Sequence, residues 1–358
     1  MRRISTRELR AQAQALTILA TTLSLPGASA LSRVGKRTAE RDASIAGVPA
    51  TVVQPSGTPP WPALVFLNGA TPDGRKHLTV RRLAHSLARA GFFVFVPELS
   101  GVAAGELSPE TLEQAVAIAE GASCKPETAG GRVALAGVSV GGTLALLTAA
   151  DPRLHRRVSV VACVAPFGDL AEVMRIATTG TYRDGETLGR QAAPPYLRVG
   201  LARSLAAMLA AAPASAALCR ELRALDHDRT EPVELPERAF REAGQEAERL
   251  YDLLVNDDPG RFDELLAALP SHVRDAIVAL SPVHVAQRLR SPVEIVVAPH
   301  DAYFPVSEAR ALAAAAPQVR LTVTSLMAHA TPRLSARYLA ELRRLDAFFV
   351  RSLAAATS

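Results

Sequence analysis

From about residue 42 onward the chain alternates short apolar runs with stretches whose apolar positions recur every three or four residues. Alternating βα units of this kind predict a mostly parallel twisted sheet with helices on its faces. ASIAGVPATVVQP predicts a hairpin turning near Gly47. ALVFLNG (63–69) and FFVFVPEL (92–99) are continuous apolar runs, as strands buried on both faces require. Between them, residues 75–90 carry a helical pattern that stops at Gly91. Ser108, Pro109 and Glu110 open another helix with a capping hydroxyl and a proline in the first turn. RVALAGVS (132–139) is a strand that runs straight into Gly141, Gly142, Thr143 and an alanine- and leucine-rich helix, and VSVVACVAPF (158–167) is the next strand.

The pattern then changes. Between 171 and 290 the apolar positions keep helical spacing, Leu197, Leu201, Leu205, Met208 and Leu209 among them. Pro194, Pro195, Pro213, Pro232, Pro236 and Pro270 divide this stretch into short helices. Strand runs return with VEIVVAP (293–299) and VRLTVTS (319–325), and an amphipathic helix over about 335–353 follows. The expected organisation is a basic N-terminal segment (1–41), an α/β core built from 42–170 and 291–358, and a helical insertion at 171–290 in the place of a cap. A chain of 358 residues can bury such a core together with an insertion.

Charge and composition narrow the function. Residues 1–41 hold eight arginines and lysines against two glutamates, while the whole chain has a net charge of +5, so the remaining body is close to neutral. A basic groove interleaved with stacking aromatics is not present in that body, and no nucleic-acid partner is expected. Cys124, Cys163 and Cys219 are an odd set without C-x-x-C spacing, and the eight histidines show no H-E-x-x-H pattern. Neither a disulfide framework nor a metal site is expected. Residues 1–30 contain the parts of an export signal: an arginine-bearing start, LTILATTLSL, and small residues up to Ala30. The apolar run is short and diluted by Thr17, Thr21, Thr22 and Ser24. The expectation is a surface helix and linker ahead of a cytoplasmic domain. Export through a weak signal, or peripheral contact of the basic segment with a membrane surface, stand as alternatives. The oligomeric state is not written in the sequence.

One constellation carries chemistry. Gly137-Val138-Ser139-Val140-Gly141 lies between a predicted strand and a predicted helix. A nucleophile on so tight a turn needs glycine on either side, and a helix starting at Val140 places that residue's amide beside a developing oxyanion. Without further context the same motif is an ordinary glycine-rich βα turn. Strand 63–69 ends in Asn68-Gly69-Ala70, where a second oxyanion amide, that of Ala70, is expected. Strand 293–299 leads into His300-Asp301-Ala302-Tyr303-Phe304-Pro305, and Asp301 there can accept an imidazole N–H. Asp169, after the strand at 158–167, is the rival acid. His329 follows strand 319–325 and is the only histidine beyond Asp301. His300 is a poorer base, because a residue next to the acid points elsewhere.

In the order nucleophile, acid, base, with the loop after the early strand, the chain resembles the α/β-hydrolase superfamily over roughly residues 42–353. Gly141-Gly142 and the Asp301-to-Pro305 turn resemble the dienelactone-hydrolase-like and acyl-peptidase-like branches. Two positions depart from the pattern: Asn68-Gly69 stands where many relatives have His-Gly, and Ser139 where dienelactone hydrolases use cysteine. The resemblance implies a serine hydrolase of the α/β-hydrolase fold, with Ser139, Asp301 and His329 as triad. It implies cleavage of a carboxylic ester, thioester or amide through an acyl-enzyme. It implies a small ester-like substrate and no cofactor. Dehalogenases and epoxide hydrolases, which carry aspartate at the elbow, are excluded by Ser139. Tyr303, Phe304, Thr178, Thr179 and Tyr182 are candidate pocket residues. The alternative is a non-catalytic member of the fold that binds a ligand or partner through its cap.

Overall fold

The computed structural model describes residues 9, 11–16, 18, 37–71, 73–209, 213–225, 233–328, 331–332 and 339–357. Most of the N-terminal stretch read as a signal or surface helix lies outside the described residues.

The strands of the main sheet and of the hairpin beside it are β1 (Thr38–Ile45), β2 (Val48–Pro55), β3 (Trp61–Leu67), β4 (Phe93–Pro97), β5 (Thr128–Val138), β6 (Val158–Val164), β7 (Thr181–Asp184), β8 (Thr187–Arg190), β9 (Val293–Val297) and β10 (Val319–Val323). Eight of them form one sheet in the order β1-β2-β4-β3-β5-β6-β9-β10. Only β2 runs against the rest, pairing antiparallel with β1 and β4, while every other pairing in the sheet is parallel. The β1–β2 turn has Ala46 at φ 50° and Gly47 at φ 81°, the pair of left-handed residues that a tight hairpin demands.

Both sheet faces are covered, which is why β4 and β9 are buried at every position. On one face lie α1 (Leu78–Arg89) and the C-terminal helix Leu339–Ala356. Ala11, Ala15 and Ile18 pack into the same layer, and the Gln14 amide donates to the Ala90 carbonyl at 2.6 Å. On the other face lie α2 (Pro109–Ser123), capped as expected by the Ser108 hydroxyl on the Thr111 amide, and α3 (Val140–Ala149). Side chains alternate accordingly along β5: Val133 and Leu135 face one layer, Ala134 the other.

After β6 the chain leaves the sheet and returns at β9. In between run α4 (Leu170–Thr179), the β7–β8 hairpin, α5 (Pro195–Ala206), α6 (Pro213–Ala224), α7 (Glu237–Glu242), α8 (Gln245–Val255), α9 (Phe262–Ala267), α10 (Ser271–Ala279) and α11 (Pro282–Val285). Several begin at or just after a proline, which tolerates the first turn but not a helix interior. The hairpin departs from the all-helical expectation. Gly185-Glu186 is the two-residue turn joining two short, mostly exposed strands, with Gly185 at φ 62°. Strands so short and polar carry no apolar alternation from which to be read.

Candidate active site

Chain order explains where the loops converge. From β3 the chain moves outward to β4, then crosses back to β5 on the other side of β3. Loops leaving β3 and β5 therefore part in opposite directions and open a crevice at the carboxyl edge of the sheet. Ser139 follows β5 in that crevice, and Gly69-Ala70 follow β3 beside it.

Ser139 sits at φ 54° and ψ −127°, a conformation that an L-residue holds only when its surroundings impose it. The Ser139 amide donates to Val164 O at 2.8 Å, and its carbonyl accepts from the amides of Gly142 (2.8 Å) and Thr143 (3.1 Å). The flanking glycines are steric requirements. A Cβ on Gly137 would stand 2.2 Å from Gly141 O, and one on Gly141 would stand 2.1 Å from Leu67 O. Both contacts are with backbone, which cannot step aside. Gly69 is nearly as tight, since a Cβ there would lie 3.0 Å from Val138 O and 3.4 Å from the Ser139 Cβ. The loop after β3 is thus pressed onto the serine turn. Val140 opens α3, so its amide is one of the donors that no helical carbonyl can reach.

Ser139, Val140 and Ala70 share a narrow cavity of about 50 Å³. Phe167, Leu170, Val173, Tyr196, Leu197, Gly200, Leu201 and Phe304 supply its apolar wall, with Gly105, Leu107 and Ser204 at one side. Much of this wall comes from α4 and α5, the first two helices of the insertion. Of the five candidate pocket residues, Phe304 lines the cavity, and Tyr303 stands just behind, its ring 5.6 Å from that of Tyr196. The other three are elsewhere. Thr178 and Thr179 turn their hydroxyls back onto the α4 carbonyls of Met174 and Arg175, and Tyr182 packs over Gly189 in the hairpin. The α5 residues were visible in the sequence as a helical stripe, but spacing does not say which cavity a stripe faces.

Asp301 follows β9 and is buried, with 4% of its surface exposed. Its Oδ1 accepts the amides of Tyr303 (2.8 Å) and Phe304 (3.1 Å), and Gln191 Nε2 donates to its carbonyl at 3.0 Å. Asp169 is committed differently, as the cap of α4. It accepts the Ala171 amide at 2.9 Å and the Ser281 hydroxyl at 3.2 Å, with His284 Nε2 at 3.9 Å. His300 is exposed. His329 lies outside the described residues. Cys163, beside the turn, donates its thiol to Gly142 O at 3.3 Å, and full burial pushes its pKa well up, so it packs as a small hydrophobe. Among the described residues no group of three histidine, cysteine or acidic side chains is placed to hold a metal ion.

No protein-family model matches the chain, and no curated protein matches it in sequence. Solved structures do match in shape. The acylaminoacyl peptidase of Pyrococcus horikoshii superposes on 91% of this chain with a TM-score of 0.51 at 11% identity. This chain spans only 42% of that protein's length. A 2,6-dihydroxy-pseudo-oxynicotine hydrolase superposes on 90% of this chain and 70% of its own, with a TM-score of 0.51 at 15% identity. Identities this low speak to architecture alone. With one reversed strand in an eight-stranded sheet, helices on both faces and a serine turn at the carboxyl end of β5, the chain has the α/β-hydrolase fold.

Proposed function

We propose that the protein is a serine hydrolase that cleaves a carboxylic ester through an acyl-enzyme. Ser139 is the nucleophile, His329 the general base, and Asp301 the carboxylate that orients the imidazole. His329 takes the Ser139 proton as Oγ bonds to the carbonyl carbon, and the amides of Val140 and Ala70 hold the oxyanion. The imidazolium then protonates the departing alkoxide as the ester C–O bond breaks. Water, deprotonated by His329, attacks the acyl-enzyme and releases the acid and free Ser139. The helices between β6 and β9 act as the cap, because α4 and α5 wall the cavity at Ser139.

The observation that carries this reading is the backbone of Ser139. A strained serine, wedged between glycines that nothing larger can replace, opens onto an apolar cavity. A fold kept only for binding has no use for such a turn. The test is labelling with a fluorophosphonate alongside hydrolysis of p-nitrophenyl acetate, comparing wild type with Ser139→Ala. Labelling and turnover of the wild type, both abolished in the variant, are expected. An unlabelled wild type would point instead to a ligand-binding protein, and equal labelling of the variant to another nucleophile. Thioester and peptide substrates in the same assay decide which acyl bond is preferred.

A further inference from the structure

Resting on that reading, we infer that the cavity beside Ser139 is a rigid acyl pocket for a short hydrocarbon chain, so the enzyme acts on esters of two- and three-carbon acids. Size comes first. An apolar cavity of about 150 Å³ holds benzene, so about 50 Å³ has room for roughly two carbon atoms beyond the carbonyl that Ser139 attacks.

Chemistry comes second. Apart from Ser139, the only side-chain hydroxyls among the described residues of the lining are those of Ser204 and Tyr196. Ser204 is used on both sides, donating to Gly200 O at 2.8 Å and accepting the Leu107 amide at 2.9 Å. The rest of the wall is hydrocarbon and aromatic ring, and a charged or hydroxylated acyl chain would lose its water there without replacement.

Rigidity comes third. The bond from the Leu107 amide to Ser204 fastens α5 to the loop that follows Gly105, and a Cβ on Gly200 would already touch Gly105 O at 3.4 Å. The Arg203 guanidinium, buried one residue earlier, donates to the carbonyls of Leu222 (2.8 Å), Ala104 (3.2 Å) and Leu225 (2.9 Å), tying the same helix to the end of α6 and to the same loop. Opposite, the rings of Phe167 and Phe304 meet edge to face with centroids 5.3 Å apart. Walls held from both sides do not swell for a longer chain.

The experiment is a series of p-nitrophenyl esters from acetate to octanoate with wild type, Leu201→Ala and Leu197→Ala, each preparation first titrated with fluorophosphonate. For the wild type, kcat/KM is expected to rise by at most about fourfold from acetate to propionate, the worth of one buried methylene. It should then fall at least tenfold by hexanoate. Leu201→Ala should raise hexanoate over acetate about tenfold. Leu197 is less buried, so its variant preserves the test if Leu201→Ala does not fold. A fully labelled wild type that prefers hexanoate or octanoate overturns this inference alone, as does an unchanged chain-length profile in both folded variants. Absence of labelling and of turnover at every length overturns the catalytic reading beneath it.

Discussion

β6 and β9 lie side by side, and each leads at the same sheet edge into a turn bearing an aspartate, yet the two carboxylates are held in opposite ways. Asp169 is a helix cap, partly exposed, whose Oδ1 accepts the Ala171 amide and the Ser281 hydroxyl while its Oδ2 lies 3.9 Å from His284 Nε2. Asp301 is buried in a loop that folds around it, and two successive amides converge on a single oxygen. A cap stabilises the helix it starts and points along that helix. A buried loop carboxylate has its orientation fixed by amides, which is what an acid that must aim at one imidazole requires. The two turns are also joined. Glu308, in α12 (Val306–Ala315) just after the Asp301 loop, accepts the amides of Gly168 (2.9 Å) and Asp169 (2.8 Å).

The largest effect expected from this contrast is on turnover. Asp301→Asn should lower kcat by about 10⁴-fold, the loss seen when a triad aspartate becomes an amide, while Asp169→Asn, which can still cap α4, should stay within about threefold of wild type. Steady-state kinetics on p-nitrophenyl acetate decide it, and the reverse ranking would transfer the role to Asp169.

The link through Glu308 predicts a pH effect of intermediate size. Burial raises its carboxyl to about 7, with Asp169 and Glu172 adding like charge and the two amides opposing. Between its ordinary 4.5 and about 7 the native state holds this proton more tightly than the unfolded chain does. That stability is complete below about 4.5 and is lost as pH rises through about 7. Glu308→Gln removes the titration. Its thermal stability relative to wild type should improve by about 2 kcal/mol more at pH 8 than at pH 5, and a difference independent of pH would refute the link.

The smallest effect is local. Asp169→Ala removes the α4 cap and should cost about 1 kcal/mol in denaturant unfolding with m unchanged. A cost near zero would mean that Ser281 and Glu308 hold the turn without the cap.

Much of the core is legible in the amino-acid sequence. The runs at 63–69, 92–99, 158–167 and 293–299 contain strands because a strand covered on both faces is largely apolar, while the run at 319–325 holds the edge strand β10, whose Arg320 is exposed. The glycines of the serine turn are readable from their spacing around Ser139; the clash at Gly137 lies within the turn, while that at Gly141 is with Leu67 O of β3. The hairpin at 181–190 is not readable, since its residues are mostly exposed and follow no period. The place of Thr178 and Thr179 after a strand suggests the cavity, whereas in the structure their hydroxyls bond back to the carbonyls of their own helix turn.

The sequence by itself determined the alternation of strands and helices, the turn that strains Ser139, and the aspartates that follow β6 and β9, because each depends on a few neighbouring residues and their backbone geometry. Tertiary structure alone decided which aspartate is a cap and which is buried, and which face of α5 meets the serine. It also decided how much room is left there. Those outcomes depend on contacts between segments that can be more than a hundred residues apart, such as Asp169 with Ser281 or Glu308 with Gly168, and no local pattern encodes them.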